Sequence, residues 1–342
     1  MSLRSFLFGS VASYASVVVY YMVTDKKALP ESSSKLESAS KSILTHGIPD
    51  RGPNIQVYDN HVLSYDQAKK TPIWVAERIT REHVNGPADR KNIRFKPDPD
   101  VPTRFSADNS DYLRSGWSRG HMSPAGDNKY SQEAMSQSFY LSNIVPQNLD
   151  NNAGFWNRLE IYCRDLTQRY NAVTIFSGPL SLPSPIEDGK LVVTYPVIGK
   201  NQVAVPTHLY KIIIVEDKNS KPIGIGSFIV PNKPIGFEHA LTEYQVPLDE
   251  VERKTGVTFT PKLDTSGLRD LCEIDSCKLM QKGDFDSYFI GRRLKSANNR
   301  QTLEKAWKEL DAKKITPTQY HIDVYKQKME EFKNNERNKS EE

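Results

Sequence analysis

Along this chain the apolar positions change period several times, and each change marks an element. Residues 73–76, Ile-Trp-Val-Ala, form a short apolar run that predicts a strand. Residues 172–176, 191–198, 208–215 and 223–231 are further runs rich in β-branched side chains, and they predict more strands. Between these runs the period lengthens. Phe155, Leu159, Tyr162, Leu166 and Tyr170 recur at helical spacing, which predicts a helix over 152–170 with that stripe facing the core. Pro97, Pro99 and Pro102 mark a loop upstream. Early strands, a long helix and later strands together predict an α+β layered domain.

Both ends break this pattern. From Phe6 to Val23 every residue is apolar or small, with Arg4 before the run and Lys26-Lys27 after it. A helix of about 20 apolar residues can cross a bilayer. Ala12, Ser13, Ala15 and Ser16 leave room for a cleaved secretory signal, but the apolar run continues past them, which favours an uncleaved membrane anchor over 1–24. The segment is too poor in arginine for a typical mitochondrial presequence, so hydropathy implies a tether without naming the membrane. Residues 25–47 are polar and serine-rich and read as a flexible linker, which places the folded domain at 48–293. Beyond it, Leu303, Trp307 and Leu310 stripe one amphipathic helix, and Ile322, Tyr325, Met329 and Phe332 stripe a second. Thr316-Pro317-Thr318-Gln319 between them reads as a capping box with proline at the first helical position. Residues 294–333 are therefore expected to be a small helical hairpin docked on the domain, and 334–342 a frayed charged tail.

Composition narrows the function classes. A chain of 342 residues is long enough for one large core plus an appendage. The net charge of +4 permits a nucleic-acid partner without requiring one. Cys163, Cys272 and Cys277 make no disulfide framework; Cys272 and Cys277 are close enough to bridge, but the reading favours two reduced, buried thiols. No CxxC pair points to structural zinc. The absence of Gly-x4-Gly-Lys-Ser/Thr excludes a P-loop enzyme, and the absence of Gly-x-Ser-x-Gly argues against a serine hydrolase.

The candidate chemistry lies in the middle of the chain. Ser118-Arg119-Gly120-His121 is followed by Asn143, Gln147, Asn151-Asn152, Trp156 and Glu160. A neutral imidazole at His121 can take a proton from water, a contribution typically worth about 10²–10⁴ in rate. Arg119 either donates to a phosphate or holds the motif through an internal ion pair. Asn152, Trp156 and Glu160 are spaced i, i+4, i+8 and are expected to share one helix face. An amide and a carboxylate there suit a hard cation such as magnesium, which binds oxygen and keeps several waters. A site with few carboxylates leaves the remaining positions to phosphate oxygens.

In order and spacing, Arg119-Gly120-His121, Asn143, Gln147, Asn152, Trp156 and Glu160 resemble the signature of the DNA/RNA non-specific nucleases, the endonuclease G family. The resemblance spans about residues 50–290. It implies a ββα-metal nuclease core, with a central antiparallel or mixed sheet flanked by helices, and a C-terminal helical appendage. It implies His121 as general base, Asn152 as the sole direct protein ligand of magnesium (manganese as a substitute), and Glu160 as the holder of metal-bound water. Asn143 and Gln147 would orient the site, and either Arg90 or Arg94 would meet the phosphate. Ser118 stands where the family usually has aspartate, which resembles its mitochondrial exo/endonuclease G-like branch. That branch implies a mitochondrial inner-membrane location, a homodimer, and 5′ to 3′ exonuclease action on single- or double-stranded DNA with some endonuclease capacity. Two other readings stay open: a sugar-non-specific endonuclease that also cuts RNA, and an inactive, membrane-tethered nucleic-acid binder.

Overall fold

The computed structural model describes Ser38, residues 41–47 and residues 55–341, with side chains described as far as residue 335. The expected anchor at 1–24 and most of the expected linker lie outside the described residues.

The described chain opens with a meander of three strands, β1 (Ile55–Val57), β2 (His61–Asp66) and β3 (Thr71–Ile79). Two short strands follow, β4 (Ser118–His121) and β5 (Ile144–Gln147), then two helices, α1 (Leu149–Ala153) and α2 (Phe155–Leu166). The long strands β6 (Ala172–Leu180), β7 (His208–Glu216) and β8 (Pro222–Pro231) come next, and the two-residue β9 (Arg269–Asp270) ends the series. Seven of these strands form one sheet in the order β1-β2-β3-β6-β7-β8-β9. All its pairings are antiparallel except β8 with β9. The architecture is the α+β fold with a mixed central sheet that the apolar pattern implies.

Strand β7 shows why the sheet is buried on both faces. Leu209, Ile213 and Val215 point into a core shared with Phe155, Leu159 and Leu166 of α2. Tyr210, Ile212 and Ile214 alternate into a second core on the opposite face with Trp74, Phe176 and Phe259. A strand covered on both sides needs an almost continuous apolar sequence. Lys211 is the exception in β7, and by alternation it lies on the α2 face, as do His61 of β2 and Glu77 of β3.

Several expectations need correction. The packed structure begins before residue 48: Ile43 and Leu44, placed in the linker, are buried in the second core because they supply apolar cover for that face. Residues 191–198 do not form one strand. They supply the two-residue strands Leu191–Val192 and Val197–Ile198, outside the main sheet, with Pro196 lacking a backbone donor between them. The helix expected over 152–170 breaks at Gly154, where a Cβ would lie 2.7 Å from Asp150 O, and it ends at Leu166. The predicted stripe is nevertheless buried from Phe155 to Leu166, and Tyr170 packs against the same core. Cys272 and Cys277 are joined by a disulfide, while Cys163 is a free, buried thiol.

The C-terminal region is three helices, not two: α3 (Lys282–Ser296), α4 (Arg300–Ala312) and α5 (Gln319–Glu341). They share a core of Ile290, Leu294, Leu303, Ala306, Leu310 and Phe332, so the expected boundary at 293/294 falls inside α3. The box at the start of α5 also differs. Thr318 Oγ1 accepts from His321 N, and His321 Nδ1 accepts from Thr318 N at 3.1 Å, which leaves Pro317 ahead of the helix. Helix α5 continues to Glu341 through the segment expected to fray.

Candidate active site

Strands β4 and β5 form an antiparallel ribbon, with Ser118 opposite Gln147 and His121 opposite Ile144. Helices α1 and α2 follow directly, so ribbon and helix enclose one small site. Gly120 makes the close approach possible: a Cβ there would lie 2.0 Å from Gln147 Oε1. The start of α1 is fixed by Asn148, whose side chain accepts from Asn151 N at 3.0 Å. Asn151 in turn donates to the carbonyls of Pro231 and Lys233, which ties α1 to the end of β8.

The site opens into a cleft of about 430 Å³ lined by Ser118, Arg119, His121, Asn152 and Glu160. The same cleft is lined by Arg90, Lys129 and Arg164, and by Phe289 and Arg292 of α3. Of the two upstream arginines, the structure brings Arg90 to the cleft, stacked over the Phe139 ring, while Arg94 is exposed and lies off the lining. Asn152 and Glu160 both line the cleft, whereas Trp156, one turn before Glu160 on α2, lies beneath the lining. It is fully buried in the core, with the Lys211 ammonium 4.8 Å from its ring.

His121 is wedged between Phe95 and Phe139, whose ring centroids lie 5.1 and 4.9 Å away. Burial holds its pKa down at about 3, with Arg90 and His61 adding to the effect, so the imidazole is neutral near pH 7. Its Nε2 is buried without a partner. Nδ1 is not a buried unpartnered atom and has no hydrogen bond among the described residues, so it is the nitrogen left to the cleft. Asn143 lies behind the histidine and does not line the cleft: it accepts from Ser123 N at 3.0 Å and donates to Ser123 O and Ser138 O at 2.8 Å. Gln147 donates to Asn151 Oδ1 at 2.9 Å. Both amides shape the site from beneath.

Ser118 has a role that the sequence pattern did not reveal. Its Oγ donates to Gln147 O at 2.8 Å and accepts from Asn152 Nδ2 at 3.0 Å. The serine thus spends the amide's donor and leaves Asn152 Oδ1 as the free oxygen. Arg119 forms no ion pair among the described residues. It donates to Asn109 O at 3.1 Å and lies over the rings of Phe95 and Tyr112.

Glu160 is the other oxygen donor. Burial raises its pKa to about 7, against the pull of Arg164, Lys211 and Arg90. Arg164 is itself paired with Asp127 at 2.7 Å. A free amide oxygen and a carboxylate facing one cleft are a donor set for a hard, partly hydrated cation. No group of three or more His, Cys, Asp or Glu able to hold a metal occurs among the described residues, so these residues form no closed cage. The surrounding arginines and Lys129 supply positive charge for an anionic ligand. Lys129, Phe289 and Arg292 were not foreseen: they reach the cleft through tertiary folding and carry no local motif. Arg164 had a signal, being four residues after Glu160 on the same helix.

A ribbon and a helix around one histidine and one asparagine define the ββα-metal class of nucleases. Residues 39–266 match the family described as DNA/RNA non-specific endonuclease, and the chain belongs to it. It is similar to "Nuclease EXOG, mitochondrial" of Xenopus laevis, 52% identical over 96% of this chain and 92% of that protein. The Homo sapiens protein of the same name is 49% identical over 86% of this chain and 82% of its own length. Among solved structures, "Crystal structure of the EndoG/EndoGI complex" superposes with a TM-score of 0.65 at 37% identity, covering 71% of this chain and 97% of that one. The chain is an enzyme that hydrolyses nucleic acid, of a family that works with a divalent metal.

Proposed function

We propose that this protein is a magnesium-dependent DNA phosphodiesterase that trims 5′ ends and retains some endonuclease capacity. The observation that carries this reading is one cleft that joins His121, Asn152 and Glu160 to Arg90 and Arg119. In it, His121 Nδ1 accepts a proton from the attacking water. Packing between Phe95 and Phe139 keeps the ring fixed, and its low pKa keeps it unprotonated. Arg90 and Arg119 present guanidinium donors to the scissile phosphate. Asn152 Oδ1, aimed by Ser118, would hold the ion directly, and Glu160 would hold its water. Magnesium, or manganese in its place, supplies Lewis-acid stabilisation of the charge that develops on the phosphate and the leaving oxygen.

In support of a preference for ends, Phe289 and Arg292 of α3 form part of the cleft wall, where they would meet a duplex that continued past the site. The family match ends at residue 266, whereas the alignment with the Xenopus laevis relative covers 96% of this chain and so extends into the C-terminal region. The runner-up is an endonuclease cutting DNA and RNA alike, which the family description favours. The names of the relatives support a mitochondrial location. An inner-membrane tether through residues 1–24 and a homodimer complete the proposal. No helix among the described residues is long and apolar enough to cross a membrane, so the tether rests on the N-terminal segment alone.

Cleavage of duplexes blocked at the 5′ or the 3′ end, compared with closed circular DNA, tests the reading in magnesium. Loss of cleavage on 5′-blocked duplex is expected. Nicking of closed circles as fast as end trimming would leave the endonuclease reading instead.

A further inference from the structure

Behind His121 lies a set of buried polar atoms that the reaction as described does not use. His61 and Glu77 are directly opposite each other on β2 and β3, so their side chains share the face packed against α2. Both are fully buried. His61 has neither ring nitrogen partnered, Glu77 has Oε1 unpartnered, and Asn128 has Oδ1 unpartnered. The second Glu77 oxygen accepts from Ser123 Oγ at 2.6 Å, and Ser123 is two residues beyond His121. His121 contributes one more orphan, Nε2.

Native proteins leave few buried polar groups unsatisfied, and an unpaired one costs about 1–3 kcal/mol. Several orphans close together are the usual lining of a site for internal water, which needs two to four polar partners. These orphans are linked through the fold. Cross-strand pairing joins His61 to Glu77, and Ser123 joins Glu77 to the segment carrying His121. The pKa of His121 also responds to the neighbouring His61.

We propose that Glu77, with His61, holds an internal water against His121 Nε2 and is the positioning residue that sets the tautomer of the catalytic base. His121 then donates its Nε2 proton to that water, the water donates to Glu77 Oε1, and Nδ1 keeps its lone pair for the cleft. The carboxyl group that orients the base reaches it from the central sheet, while Ser118 on the ribbon serves Asn152. This inference rests on His121 as the base, but its readout does not. His121→Ala retaining hydrolysis would remove the base assignment, whereas the tautomer is measured without turnover.

The test is nitrogen NMR of the full chain labelled at the histidine rings, with His121 assigned by loss of its signals in His121→Ala. At neutral pH the wild-type protein is expected to show Nε2 protonated and Nδ1 bare. Glu77→Gln should give a mixture of tautomers and lower kcat by about 10–100-fold, the scale of partners that orient a site group, with KM for DNA unchanged and no loss of melting temperature. Ser123→Ala, which frees the carboxyl from its anchor, should shift the same resonances and serves if Glu77→Gln does not fold. A wild-type ring protonated at Nδ1 overturns the proposal. So does a folded variant with unchanged His121 resonances and unchanged kcat.

Discussion

Replacing Glu160 by glutamine should stabilise the metal-free protein at alkaline pH while abolishing most of its activity. Burial raises the Glu160 pKa to about 7 from an ordinary 4.5. The folded state therefore binds this proton more tightly than the unfolded chain. The resulting stability is fully present below the unfolded value and is lost as pH rises through the folded one. The difference corresponds to about 3 kcal/mol at most between mildly acid and alkaline solution. Glutamine has no such dependence, and the other titrating groups are common to both proteins. Thermal melting without divalent ions, at about pH 5 and about pH 8.5, isolates the effect. The variant should match the wild type at the acid pH and melt higher at the alkaline one, by on the order of 5 °C. The same melting difference at both pH values would refute the reasoning. Magnesium should recover the lost stability of the wild type at alkaline pH and leave the variant little changed.

Other outcomes follow from the same geometry. Asn152→Ala should melt normally yet lose at least about tenfold in turnover at limiting magnesium, and normal turnover there would remove its ligand role. Arg90→Ala should raise KM for DNA and flatten the salt dependence of binding, whereas Arg94→Ala should leave both unchanged; equal effects would place the phosphate elsewhere. The acid limb of kcat against pH should follow Glu160 near pH 7 and not His121, whose pKa of about 3 keeps it neutral throughout. A limb that persists unshifted in Glu160→Gln would contradict that assignment.

Much of the site was legible because it is local. His121, Asn143, Gln147, Asn152 and Glu160 fall within one ribbon and one helix pair, so their spacing in sequence translates into position. The sheet was legible where β-branched runs are long, as in β6, β7 and β8. It failed at residues 191–198, where β propensity had no partner strand in the main sheet. The break at Gly154 was hidden because the apolar stripe runs on the far side of it. Lys129 and Arg292 were hidden for a different reason. Tertiary folding brings Lys129, from the turn after Asp127, and Arg292, from α3, to one cleft, and a lone basic residue in sequence looks like surface charge. Ser118 was visible as a departure from the family pattern, but its hydrogen bond to Asn152 needed coordinates.

Single-turnover hydrolysis of a 5′-labelled duplex by purified His121→Ala, with magnesium saturating and DNA binding measured in parallel, tests the central claim most directly. The account predicts unchanged binding and a rate lower by about 10²–10⁴. A variant that binds and cleaves at the wild-type rate would contradict it.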